Sequence, residues 1–102
     1  MTLLLKQSPI DALKLSHGEA RALIASRIKE ARLNGGLSQN DIAKALHISQ
    51  SSYSRMERGM LAPDCAQIRI LSGLHGISVL WLMGYPSFIV NAVQYSSSSS
   101  SS

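Results

Sequence analysis

LSQNDIAKALHISQSSYSRMERG, residues 37–59, is where the reading of this chain begins. Ser38 and Ser49 each stand just before a short periodic segment, where a side-chain oxygen accepts the orphan backbone N–H groups of a first helical turn. Behind the first cap, Ile42, Ala43 and Leu46 share a face. Behind the second, Tyr53 and Met56 do the same at helical spacing. Only His47 and Ile48 separate the first segment from the second cap, so two short helices meet at a tight turn. Gly59 then closes the second as the left-handed residue past a helix end. The other face of that second helix carries Gln50, Ser51, Ser54, Arg55 and Arg58.

Working outward, Ser16-His17-Gly18-Glu19 reads as a capping box, and Ala20, Ile24, Ile28 and Ala31 follow at helical spacing until Asn34-Gly35-Gly36 breaks the run. Downstream, Pro63-Asp64 with Gln67 opens a fourth helix with Ile68, Leu71 and His75 on one stripe, closed by Gly76. Ser78 caps a last short helix ending at Gly84. Nearer the start, Ser8-Pro9-Ile10-Asp11 places a cap, a first-position proline and an acid in order, which suggests a short helix to about Leu15. Phe88 to Tyr95 is apolar but too short to read as helix or strand, and it needs a partner surface. The serines at 96–102 have nothing to bury and are expected to be disordered. No segment alternates with period two over enough residues to argue a sheet, so the expected class is all-α.

With 102 residues and that serine run, the chain has room for one small domain, and that, not a multidomain enzyme, is the expectation. At 45% hydrophobic and 16% charged residues it is a core-forming chain and not a disordered one. The one cysteine, Cys65, cannot close a disulfide within the chain, and no Cys/His cluster offers a metal site. A reducing cytoplasm, no cofactor and no membrane contact are the expectations. The basic excess is localised: Arg21, Arg27, Lys29, Arg32, Lys44, Arg55 and Arg58 stand against Glu30, Asp41 and Glu57, and together they account for the whole net charge of +4. A basic face on a small domain is what contact with phosphates requires.

Two capped helices across a tight turn, with a basic helix before and an apolar one after, form a helix-turn-helix unit, whose second helix fits a DNA major groove. Leu37-Ser38-Gln39, Ile42-Ala43, Leu46, Ile48-Ser49-Gln50, Tyr53-Ser54, Met56-Glu57-Arg58-Gly59, Pro63, Gly76-Ile77-Ser78-Val79 and Trp81-Leu82 give the chain its family likeness. From about Ile24 to Gly84 it resembles the phage Cro/CI repressor family, the Xre-type regulators. The resemblance implies a five-helix, lambda-repressor-like domain. It also implies that Gln39 reaches a DNA phosphate and braces Gln50, and that Gln50, Ser51 and Arg55 read bases. Ser49, Ser52, Ser54 and Arg58 would then hold the docking register, and Asn40 and Lys44 complete the expected DNA-binding set. Chemistry agrees, since a glutamine amide pairs with adenine and an arginine with guanine, each through two hydrogen bonds. Three positions depart from the pattern: His47 stands where glycine is frequent, the loop after the second helix is the apolar Met60-Leu61-Ala62, and His75 replaces a core leucine.

The expected organisation is an extension over 1–15, the DNA-binding domain over 16–85, a dimerisation segment over 86–95 and a serine tail over 96–102. The expected function is a non-enzymatic regulator, a repressor, binding double-stranded DNA at a palindromic operator as a homodimer. The alternative is an antitoxin or anti-regulator that works by gripping another protein through Leu3 to Leu15 and Phe88 to Tyr95. Glu57 and Asp41 are read as surface ion pairs, Cys65 as a structural thiol, and Tyr53, Met56 and Trp81 as packing residues.

Overall fold

The computed structural model describes residues 14–86 and 88–92. Among these it has six helices and no strand: α1 (His17–Asn34), α2 (Gln39–Leu46), α3 (Gln50–Glu57), α4 (Cys65–His75), α5 (Val79–Leu82) and α6 (residues 88–92). The expected helix from Ser8 lies outside the described residues except at its end, where Lys14 and Leu15 are not helical. The serine run also lies outside them.

Local chemistry sets the helix starts. The Ser16, Ser38 and Asp64 side chains accept the N–H of Glu19, Asp41 and Gln67 at 3.1, 3.1 and 2.8 Å, and each of those side chains bonds back to the cap's own N–H. Ser49 accepts from Ser52 at 3.1 Å, and Ser78 from Leu80 and Trp81. The bonds from Ser16 and Ser38 hold the Glu19 and Asp41 carboxyls below their ordinary pKa. Asp41 is therefore a capping residue, not the ion-pair partner expected from the sequence. The ends follow similar logic, with Gly59 and Gly76 at φ 75° and 65°.

The turn between α2 and α3 keeps its left-handed geometry without a glycine. His47 has φ 59° and ψ 42°, a conformation that costs a residue with a Cβ about 1–2 kcal/mol. Its N–H still closes α2 on the carbonyls of Ala43 and Lys44. The fifth helix ends at Leu82, earlier than the expected Gly84. Gly84 turns left-handed at φ 92°, a conformation that favours glycine, and a Cβ there would lie 2.8 Å from Leu23 Cδ2 of α1 and force that side chain to shift.

Ile28 of α1, Ile42, Ala43 and Leu46 of α2, Tyr53 and Met56 of α3, Ile68 and Leu71 of α4 and Leu82 of α5 form one buried core. Ile24, Leu37, Ile48, Leu61, Ile77 and Trp81 pack around it. Much of the stretch after Pro86 that the sequence left unassigned is helical, started by bonds from the Ile89 and Val90 N–H groups to the Pro86 carbonyl. Val90 is 6% exposed, so one face of this segment finds its partner surface within the chain, while Phe88 is 54% exposed. Cys65, read as a structural thiol, is exposed at the start of α4.

Candidate nucleic-acid interface

The face of α3 opposite Tyr53 and Met56 is the functional candidate. Tyr53 and Met56 are buried, which turns Gln50, Ser51, Arg55 and Arg58 out to solvent and leaves Ser52 and Ser54 half-buried at its edges. The serines organise the start of this face. Ser49 Oγ lies 3.1 Å from Ser51 Oγ and donates to Ser52 Oγ at 3.0 Å. Among the described residues the Gln50 and Arg55 side chains make no hydrogen bond or ion pair, whereas Arg58 Nε reaches the Ser54 carbonyl at 3.4 Å. Across the turn, Asn40 and Lys44 are exposed on α2.

Gln39 behaves differently from its expected role. Its Nε2 donates to Glu57 Oε1 at 3.0 Å, and no bond joins it to Gln50. Glu57 is the centre of a network that sequence reasoning missed. Arg32 donates to it from Nε at 2.5 Å and from Nη2 at 3.1 Å, and sends Nη1 to the Leu37 carbonyl at 2.9 Å. The two side chains are 11% and 3% exposed, so Glu57 is a buried partner and not a surface one. This fork ties α1, α3, the loop before α2 and, through Gln39, α2 itself. Burial alone would lift the Glu57 carboxyl, but the Arg32 guanidinium, the Tyr53 hydroxyl beside it and the Gln39 amide outweigh that and hold it below its ordinary value. Burial, then the Glu57 charge, pushes the Tyr53 phenol well above its usual range, and its oxygen makes no aligned hydrogen bond.

The signal for this network was present in the spacing. Arg32 follows Ile28, and Glu57 follows Tyr53, by one i to i+4 step, which puts a charge on each helix's buried stripe. Arg27 sits on the stripe of Ile24 and Ala31 and is also turned inward. Its Nη1 donates to the carbonyls of Trp81 and Tyr85 at 2.6 and 3.1 Å, and its guanidinium lies 4.9 Å over the Trp81 ring. Two of the seven midchain cations thus hold the fold together. Among the described residues no group of His, Cys, Asp or Glu has the arrangement to hold a metal ion, and no helix is long and apolar enough to cross a membrane.

A helix-turn-helix family model matches residues 28–82, the span from the middle of α1 to the end of α5. The chain belongs to this helix-turn-helix family. A curated relative, the HTH-type transcriptional regulator ImmR of Bacillus subtilis (strain 168), is 34% identical over 61 residues, 60% of this chain and 48% of the relative. The helix-turn-helix chain therefore spans about half the length of that relative. A crystal structure of a hypothetical transcription factor, NHTF, from Neisseria superposes with a TM-score of 0.61 at 20% identity, covering 76% of this chain and 90% of that one. At that identity it shows the fold: the all-α helix-turn-helix architecture expected from residues 37–59.

Proposed function

We propose that this helix-turn-helix chain is a sequence-specific, double-stranded DNA-binding transcriptional regulator, acting as a repressor, whose α3 reads the major groove. The observation that carries the reading is the division of α3 into two faces. One is committed to the core through Tyr53, Met56 and Glu57, and the other presents Gln50 and Arg55 with no structural duty and Ser51 bonded only to the neighbouring Ser49 hydroxyl. In this reading Gln50, Ser51 and Arg55 touch base edges. Ser49, Ser52, Ser54, Arg58, Asn40 and Lys44 set the register on phosphates. Gln39, already bonded to Glu57 through one amide hydrogen, offers its other to a phosphate. The relative's description as a transcriptional regulator supports the same reading. The work is non-enzymatic and placed in the cytoplasm.

Arg55→Ala and Lys44→Ala distinguish base reading from phosphate contact. Arg55→Ala should lower affinity for a site selected from random duplexes by about 1–3 kcal/mol and relax preference at one base pair. Lys44→Ala should weaken all sequences alike and flatten the dependence of log affinity on log salt by about 1. Equal losses of selectivity in both would remove the assignment. A chain that acts only as an antitoxin or anti-regulator would retard no duplex at all.

The regulator is further proposed to act as a homodimer on a palindromic operator, because one short helix reads few base pairs and two-fold sites space their readers about 34–36 Å apart. Exposed Ile70, Leu74, Val79, Met83 and Phe88 supply apolar surface for the contact. Phe88→Glu should sediment as a folded monomer at micromolar protein; a Phe88→Glu dimer would place the contact elsewhere.

A further inference from the structure

A cleft of about 510 Å³ opens where α1 and α4 end against α5 and α6, and no residue of α2 or α3 lines it. Its volume lies within the roughly 300–1,000 Å³ usual for small-molecule sites. One wall is apolar, made by Ile77, Trp81 and Val90. The rest is electrically unlike the chain as a whole, whose net charge is +4. Asn34 closes α1 and His75 closes α4 at the cleft, so the negative ends of two helix dipoles converge on it. The exposed Glu30 carboxylate stands in the lining and, among the described residues, pairs with no cation. Among the described residues no lysine or arginine is in the lining; the Arg27 guanidinium keeps its charge over the Trp81 ring, where its Nη1 is bonded to the Trp81 and Tyr85 carbonyls. Burial keeps the His75 imidazole below its ordinary pKa, hence uncharged at neutral pH.

We propose that this cleft binds a small organic cation, an amine on an apolar or aromatic body, with the amine at Glu30 and the helix ends and the body against Ile77, Trp81 and Val90. The site lies on elements other than the two that form the helix-turn-helix, so its occupancy is measured without DNA.

Trp81 is the chain's one tryptophan, which makes its fluorescence a direct reporter. The probes are 2-phenylethylamine, its neutral counterpart 2-phenylethanol and its anionic counterpart 3-phenylpropionate, titrated into the full chain. The amine should give a saturable change, with the alcohol and the acid at least about tenfold weaker. Glu30→Gln, at an exposed position, should melt like the parent yet bind the amine about tenfold more weakly and the alcohol unchanged. Backbone amide shifts on adding the amine should appear at Gly35, Gly76 and Ser78. No saturable response to the amine, equal responses to amine and alcohol, unchanged amine binding in Glu30→Gln, or amide shifts confined to α2 and α3 would each overturn the proposal.

Discussion

Glu57→Ala should destabilise the domain by about 3–5 kcal/mol, because it strands the Arg32 guanidinium, 11% exposed, without its counter-charge. Small domains have only about 5–15 kcal/mol in total, so a large part of the population should be unfolded near physiological temperature. Urea titration by circular dichroism measures it. The pairing itself is a different quantity: replacing both partners, as in Arg32→Met with Glu57→Leu, removes the burial cost of two charges and should recover most of the loss. A double variant as unstable as Glu57→Ala would mean that the pair's geometry contributes net stability. The pH dependence has a definite sign. The folded Glu57 carboxyl sits below its unfolded value, so its contribution is complete above about pH 4.3 and is lost as pH falls through the lower folded value. The acid limb of the stability curve should flatten in the double variant.

Tyr53→Ala should cost a similar amount, about 3–5 kcal/mol, as for other large aromatic truncations in a core. Tyr53 is fully buried and is the side chain by which α3 is seated on the rest of the domain. Tyr53→Phe separates the ring from the hydroxyl. The phenol oxygen is buried and makes no aligned hydrogen bond, so its removal should change stability by less than about 1 kcal/mol in either direction. If Tyr53→Phe proved as costly as Tyr53→Ala, the hydroxyl would be a strong partner of Glu57 after all.

The helices were legible where their causes are local. Ser16, Ser38, Ser49, Asp64 and Ser78 act on residues within one turn, and a hydroxyl or carboxylate at a helix start means the same thing wherever it stands. The His47 turn was legible for the same reason. The Arg32–Glu57 bond joins residues 25 apart in sequence, and a charge on an apolar stripe declares only that it needs a partner. Gln39 was expected to brace Gln50, but the buried carboxylate of Glu57 is the stronger acceptor and takes the amide. Residues 88–92 carry too few turns for periodicity to register, and their helix is stabilised by contact with the rest of the domain, to which Val90 contributes.

The division of α3 into a committed face and an unoccupied one also bears on how such a domain changes over generations. Substitutions at Gln50 and Arg55 remove no side-chain hydrogen bond or ion pair among the described residues, and at Ser51 only the bond to Ser49, so under the proposed DNA-reading role selection for a new site can act on them with little effect on stability. Tyr53, Met56 and Glu57, interleaved with them along the same two turns, have no such freedom. Descendants of this chain should therefore diverge in what they recognise long before they diverge in shape, with the variable and the invariant positions alternating along a single helix.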